Sequence, residues 1–264
     1  MIRDLLSLSR PSAIAHRGGA KLRPENTLAA FEHAVSLGVA ACECDVHVSA
    51  DGEVVVIHDA TLDRTTNAHG PVEQMTAREL ARVDAAHGFG ADAGFPFRDR
   101  GVGVPRLADL LDRFRGLPWI VEIKGDRPDV AARVVKVVRD LRAFERVLIG
   151  SFSQDVLHAV RTLAPRLPTG ASSLEARAAV RRAYFRLPIG RPRFDVLQMP
   201  LRIKGHEVFG ETFVRFARRA GTPVQVWVVD EPGDMRRLLD WGVTGLISAR
   251  PDLALAAVRT PAAP

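Results

Sequence analysis

The chain has 264 residues, of which 47% are apolar and 26% are charged, with a formal net charge of +6. This length and composition suit one large core, argue against wholesale disorder and leave little room for a second full domain. The positive charge comes almost entirely from arginine, since only four of the 37 basic residues are lysine. No basic run is interleaved with aromatic residues, and we therefore expect no nucleic-acid partner.

The beginning of the chain has only a short apolar run, which Asp4, Arg10 and Pro11 interrupt, and no cleavage-like site of small residues follows it. Cys42 and Cys44 lie two residues apart in a predicted strand, where a mutual disulfide would be strained. We expect both thiols to be reduced and to pack in the core. Together these features favour a cytoplasmic protein.

Short apolar runs alternate with amphipathic segments of helical length, a pattern typical of a parallel sheet surrounded by helices. Eight strands are predicted: Ser12–His16, Val39–Val48, Trp119–Lys124, Val147–Ser151, Leu167–Ala171, Val196–Met199, Val224–Val229 and Gly245–Ser248. Eight such units favour an α/β fold of the TIM (β/α)8 barrel type. An open doubly wound sheet is the alternative, because the fifth unit has the weakest pattern.

Apolar periodicity between the strands predicts the helices. The clearest are Thr27–Ser36, Leu107–Phe114, Val130–Leu141, Gln154–Leu163, Glu211–Ala220 and Pro232–Leu239. After the second strand, a connection of about sixty residues breaks this rhythm, and connections of that length usually carry function. It contains a predicted hairpin strand at Glu53–Ile57 and a capped helix near Thr76. We interpret about 60–104 as an insertion into a single domain, 1–264, at the carboxyl end of the barrel strands.

Carboxylates share one face of two predicted strands. Alternation places Glu43, Asp45 and His47 on the same side of the second strand, and Glu122 and Lys124 on the same side of the third. Burying carboxylates costs free energy unless a cation lies among them, and oxygen-only ligands favour Mg²⁺ or Ca²⁺ over zinc. The alternatives are a solvent-facing strand or a pair of arginine partners for Glu43 and Asp45, and a private ion pair between Glu122 and Lys124.

Two histidines stand at strand ends. The first strand leads into His16-Arg17-Gly18-Gly19, and His58 follows the hairpin strand. A guanidinium such as that of Arg17 can bind phosphate through two parallel hydrogen bonds. A cation and Arg17 would neutralise the non-bridging oxygens of a phosphodiester while two imidazoles transfer protons. The set therefore indicates phosphodiester cleavage.

Five strings carry these residues in order: HRGGAKLRPENTLAAF, ECDVHVSADGEVVVIHD, LDRTT, VEIK and VQVWVVDEPGDMRRLLDWGVTGLISARPD. In content, order and spacing the chain resembles the glycerophosphodiester phosphodiesterase family from His16 to Asp252. The resemblance implies a phosphoric diester hydrolase on a TIM barrel that requires a divalent metal, Mg²⁺ or Ca²⁺.

The resemblance also implies a role for each site residue. The implied set is His16 and His58 as general acid and base, Glu43, Asp45 and Glu122 as metal ligands, Arg17 and Lys124 at the phosphate, Trp227 beside the glycerol, and Glu25 and Asn26 as supports. In the implied reaction the 2-hydroxyl of the substrate attacks phosphorus, and the cyclic phosphate is then hydrolysed to sn-glycerol 3-phosphate and an alcohol. His47 lies at a position that varies in the family.

Two departures from the family pattern, Asp230 and the stretch Ser248-Ala249, concern substrate fit rather than catalysis. A lysophospholipase D could use the same residues on lysophospholipids, and a non-catalytic phosphate-binding barrel is a further alternative. A zinc amidohydrolase is disfavoured because Arg17 and Gly18 follow His16 where an H-x-H motif is required.

Three phenylalanines in the insertion, Phe89, Phe95 and Phe97, could line an apolar pocket, contact a membrane surface or pack onto the barrel. We therefore expect at most a peripheral membrane contact. The partner is a small glycerophosphodiester or lysophospholipid substrate, and the oligomeric state is not predicted.

Overall fold

The computed structural model describes residues 1–190 and 192–260. The main sheet contains β1 Ser12–Ala15, β2 Ala41–Val48, β3 Val54–Val56, β4 Trp119–Ile123, β5 Val147–Gly150, β6 Leu197–Pro200, β9 Val224–Trp227 and β10 Gly245–Ser248, and a separate hairpin pairs β7 Arg202–Ile203 with β8 His206–Glu207. Neighbouring strands pair in the order β5-β4-β2-β1-β10-β9-β6, all parallel, and β3 pairs antiparallel with β2.

The fifth predicted strand, Leu167–Ala171, is reduced to two single parallel bridges. Thr169 pairs with Ile149 of β5, and Gly170 pairs with Val196 beside β6. Pro168 has no N–H to donate and Gly170 has no side chain to pack, so a regular strand does not form here. The bridges still join the two ends of the sheet, and the predicted TIM-type barrel is confirmed over the open sheet.

Ten α-helices occur in the described ranges: α1 Ile2–Leu5, α2 Leu28–Leu37, α3 Ala77–Leu80, α4 Leu107–Arg113, α5 Pro128–Asp140, α6 Gln154–Leu163, α7 Ser173–Tyr184, α8 Glu211–Arg219, α9 Pro232–Trp241 and α10 Pro251–Arg259. The clearest predicted helices are all present within a few residues, and Thr76 caps α3 with a capping box. Within the described residues, no helix combines the length and apolarity needed to cross a bilayer.

Side chains of the barrel strands alternate between two apolar layers. The inner layer includes Ile14, Ile120 and Ile247, and α1 adds Ile2 and Leu5 to it. The outer layer lies between strands and helices and contains both cysteines, buried and unpaired as expected. Residues of the insertion form a small core of their own: Val55, Ile57, Leu62, Val72, Ala77, Leu80, Val83, Ala85 and Val104.

Candidate active site

A cavity of about 750 Å³ opens at the carboxyl ends of the barrel strands. Its lining includes a polar cluster of His16, Arg17, Glu43, Asp45, His58, Glu122 and Lys124, which come from the ends of β1, β2 and β4 and from the segment after β3. All seven were selected from the sequence, and parallel strands bring them together because their carboxyl ends meet at one end of the barrel.

The H-R-G stretch is a tight 3-10 turn directly after β1 rather than an extension of the strand. Arg17 and Gly18 both have positive φ, 52° and 80°. A Cβ on Gly18 would lie 2.7 Å from Cβ of Ala30, so glycine is required both by the backbone and by the neighbouring helix. The turn directs the Arg17 backbone N–H at Glu43, with 3.0 Å between N and Oε2.

Three carboxylates converge at the centre of the cavity. One oxygen each from Glu43, Asp45 and Glu122 lies within 4.8 Å of the other two. Burial, followed by repulsion from Asp45 and Glu122, raises the pKa of Glu43 well above its usual range. Burial also raises the pKa of Glu122. The neighbouring side chains therefore do not fully neutralise the three carboxylates, and an added cation would stabilise the cluster.

Two cations contact this cluster. Lys124 Nζ lies 2.8 Å from Asp45 Oδ1 and also bonds Glu122, so its ion pair with Glu122 is not private. Arg17 Nε lies 3.1 Å from Asp45 Oδ2. Burial alone would raise the pKa of Asp45, but Lys124 and Arg17 outweigh it and lower that pKa. Three close oxygen donors that still carry excess negative charge fit Mg²⁺ or Ca²⁺.

Glu25 and Asn26 hold this arrangement from the loop after β1. The Asn26 amide donates to Asp45 Oδ2 at 2.8 Å and accepts from the Asp45 backbone N–H at 3.3 Å. Glu25 accepts from Arg17 Nη1 at 2.9 Å and from both terminal nitrogens of Arg64. These contacts fix the orientation of Arg17 and of one central carboxylate.

The two histidines lie in different environments. His16 is largely buried, with Nε2 4.0 Å from Glu43 Oε2, and burial, followed by the charge of Arg17, lowers its pKa to about 4. His58 Nδ1 donates to Asp59 at 2.5 Å, so its Nε2 is the nitrogen left for other partners. His47 Nε2 lies 3.0 Å from the His58 carbonyl and supports that backbone.

Asp59 and Arg64 also belong to the site, although neither was predicted from the sequence. Arg64 donates to Asp59 and Glu25 together, and so joins the His58 side of the cavity to the Arg17 side. Both residues lie inside the quoted strings, and Asp59 directly follows His58. The position of Asp59 directly after a candidate histidine could have identified it from the sequence.

The remaining walls of the cavity are mainly apolar. Trp227 lies there with its ring 5.7 Å from that of Phe152. The phenylalanines of the insertion lie outside the cavity: Phe89 packs edge-on against Phe97, and the guanidinium of Arg98 lies 3.5 Å from the ring centre of Phe95. They pack on side chains of the insertion and, for Phe97, on Arg23, whose guanidinium lies 5.4 Å from the ring centre.

The two departures at the late motifs contact each other. Asp230 accepts hydrogen bonds from the Ser248 hydroxyl at 2.9 Å and the Ala249 backbone N–H at 2.8 Å. Lys21 Nζ lies 3.1 Å from the same carboxylate. Asp230 thus ties the end of β10 to the loop after β1, outside the carboxylate cluster.

The model of the Glycerophosphoryl diester phosphodiesterase family matches residues 16–253. The chain belongs to this family. A glycerophosphodiester phosphodiesterase of Caldanaerobacter subterraneus subsp. tengcongensis is 32% identical over 257 residues, with 93% of this chain and 97% of the relative covered.

Solved structures agree with this membership. A glycerophosphodiester phosphodiesterase from Agrobacterium tumefaciens has a TM-score of 0.73 and 30% identity, with 93% of this chain and 99% of that chain covered. An Oleispira antarctica phosphodiesterase, solved in complex with the product sn-glycerol-3-phosphate, has a TM-score of 0.78, with 95% of this chain and 98% of that chain covered; at 24% identity it supports the fold. The chain is thus a phosphoric diester hydrolase of the glycerophosphoryl diester phosphodiesterase family.

Proposed function

We propose that this protein hydrolyses glycerophosphodiesters to sn-glycerol 3-phosphate and an alcohol, using a divalent cation and two histidines. The observation that carries the proposal is the convergence of three buried carboxylates, Arg17 and two histidines on one cavity. Family membership supports the substrate class, and the relative from Oleispira antarctica was solved with that product.

Charge neutralisation would come first. Glu43, Asp45 and Glu122 would hold the cation, Mg²⁺ or Ca²⁺, which supplies Lewis-acid stabilisation of the phosphoryl oxygens. Arg17 is held by Glu25 and Asp45 with its guanidinium at the cavity wall, and Lys124 lies beside it. Both would bind non-bridging oxygens, where fixed positive charge stabilises the transition state without reorganisation.

Proton transfer would be divided between His16 and His58 as general acid and base. Both line the cavity; His58 is oriented by its bond to Asp59, and His16 Nε2 lies 4.0 Å from Glu43 Oε2. The substrate's own 2-hydroxyl would be the first nucleophile, losing its proton to one imidazole while the other protonates the departing alkoxide. Water then opens the cyclic phosphate with the roles reversed, and Trp227 would pack against the glycerol carbons.

The test is product analysis with purified full-length protein and glycerophosphocholine. We expect stoichiometric sn-glycerol 3-phosphate and choline, loss of turnover on chelation, and recovery on adding back Mg²⁺ or Ca²⁺. Release of phosphocholine instead, or turnover that survives exhaustive chelation, would refute the proposal.

Lysophospholipase D activity is the second candidate, because much of the cavity lining is apolar. Phe152, Val180, Met199 and Trp227 are among the apolar lining residues and could accommodate an acyl chain. A comparison of kcat/KM for glycerophosphocholine and lysophosphatidylcholine separates the two. Turnover of the lipid alone would replace the preferred substrate class.

A further inference from the structure

A surface at the mouth of the cavity combines exposed apolar side chains with arginines. We call it the rim surface: residues 177–187, which include the C-terminal part of α7, and the hairpin turn at 203–204. Exposed apolar side chains lie in both segments, Tyr184 at 82%, Phe185 at 62%, Leu187 at 50% and Ile203 at 55% exposure. Side chains of this size are usually buried, and clusters of exposed ones mark interaction sites.

The charged side chains of the rim surface are all basic. Between residues 176 and 190 the chain has four arginines and no acidic residue. These arginines are exposed, as is Lys204 in the hairpin turn. A partner for this surface must therefore present negative charge together with an apolar phase.

The rim surface is continuous with the catalytic cavity. Tyr184 and Ile203 line the same cavity as His16 and Glu43, and so does Arg181. The Tyr184 ring lies 5.1 Å from the Phe185 ring, so the aromatic pair extends from the cavity wall to the open surface. A partner covering the rim surface would therefore lie directly at the entrance to the active site.

We propose that the rim surface docks onto an anionic phospholipid bilayer. Aromatic and aliphatic side chains at the tip enter the headgroup region, while the arginines and Lys204 contact lipid phosphates. This surface is separate from Phe89, Phe95 and Phe97, for which the sequence left a membrane contact as one of three alternatives. Docking is independent of the substrate cleaved, although it would bring the cavity to a lipid source of glycerophosphodiesters.

The experiment is co-sedimentation of the full chain with vesicles. One set contains equal parts phosphatidylcholine and phosphatidylglycerol, and the other contains phosphatidylcholine alone. We expect binding to the anionic vesicles that weakens with added salt, because exposed charges are screened. The double variant Phe185→Ser/Leu187→Ser should bind about tenfold more weakly, since each side chain loses part of its apolar burial.

Matched controls carry the same changes elsewhere. Val35→Ser/Leu163→Ser alters two exposed apolar residues, and Arg166→Glu/Arg219→Glu alters two exposed arginines, all outside the cavity. Both should bind like the wild type, whereas Arg186→Glu/Lys204→Glu should lose the preference for anionic vesicles.

Hydrolysis of soluble glycerophosphocholine should be unchanged in the Phe185/Leu187 variant, which shows that it is folded. The docking proposal is overturned if the wild type fails to sediment with anionic vesicles, or if rim and control variants sediment equally. It is also overturned if the rim changes alter only self-association in solution. Failure of the wild type to hydrolyse glycerophosphocholine would instead count against the proposed function.

Discussion

At the residue scale, ion pairs and hydrogen bonds connect buried charged groups in the site. Each of these groups would be costly to bury alone. Asp45 is almost fully buried, yet it contacts Lys124, Arg17 and Asn26 at once. Glu43 accepts a hydrogen bond from the backbone N–H of Arg17 and has His16 Nε2 4.0 Å away, while Asp45 and Glu122 repel it. The unequal support explains why their pKa values shift in opposite directions.

Replacement of either histidine should remove most of the activity. His16→Ala and His58→Ala are each expected to lower kcat by about 100-fold or more, the usual contribution of a positioned acid or base. The exposed His158→Ala is the control and should behave as the wild type. Steady-state kinetics measure this, and a full rate in either variant would remove that histidine from the mechanism.

Asp59 should act through His58 as a positioning residue. Asp59→Asn keeps the size but weakens the bond to His58 Nδ1, so we expect kcat to fall about 10- to 100-fold through misplacement of the ring, with KM little changed. Asp63→Asn makes the same change at an exposed aspartate that contacts His69. Equal kcat in the two variants, or a change confined to KM, would contradict this role.

Neutralising Glu43 should increase the stability of the metal-free protein and abolish its activity. Without metal, Glu43 is buried among like charges, so Glu43→Gln is expected to raise the thermal midpoint of the chelated protein while abolishing cation-dependent stabilisation and turnover. Differential scanning calorimetry with and without Ca²⁺ measures the two effects on stability, and a glycerophosphocholine assay measures turnover. If the variant gained as much stability from the cation as the wild type, Glu43 would not be a ligand.

At the element scale, the fifth barrel unit shows where sequence patterns were sufficient and where they failed. Leu167–Ala171 was placed correctly, but single bridges replace the strand. Helix α7 was not predicted, because its Ala- and Arg-rich sequence has only Ala179 fully buried and so lacks a clear apolar stripe. Tyr184, at its C-terminal end, belongs to the rim surface, which local periodicity does not describe.

An ion pair secures this unit. Arg161 Nη1 lies 2.7 Å from Glu175 Oε1, and the same guanidinium donates to the side chain of Thr169 and the carbonyl of Gly170. Burial alone would raise the pKa of Glu175, but the hydrogen bond from Arg161 outweighs it and lowers that pKa. The pair therefore ties α6, α7 and the weak strand together.

The pair should contribute pH-dependent stability. Because the folded-state pKa of Glu175 is depressed, its contribution is fully present above the unfolded-state pKa and is lost as pH falls through the lower folded-state value. Glu175→Gln should lower the free energy of unfolding by about 2 kcal/mol at neutral pH, where Arg161 loses its charged partner. Urea titrations should show this difference shrinking in acid. A constant difference, or none, would contradict it.

At the scale of the whole molecule, the candidate active site is assembled from separate strands that the barrel brings together. Strand alternation predicted the shared face of Glu43 and Asp45 and of Glu122 and Lys124, and the barrel brought these faces to one cavity. The bridge made by Arg64 between Glu25 and Asp59 could not be predicted, because it depends on how the insertion folds back on the loop after β1. The rim surface likewise becomes visible only when exposure is known.

A crystal structure with Mg²⁺ or Ca²⁺ and sn-glycerol 3-phosphate tests the central claim most directly. We predict one ion at about 2.0 to 2.6 Å from an oxygen of each of Glu43, Asp45 and Glu122. The phosphate should be bound by Arg17, with His16 and His58 on either side of phosphorus. An ion held elsewhere, or a phosphate remote from both histidines, would contradict the account.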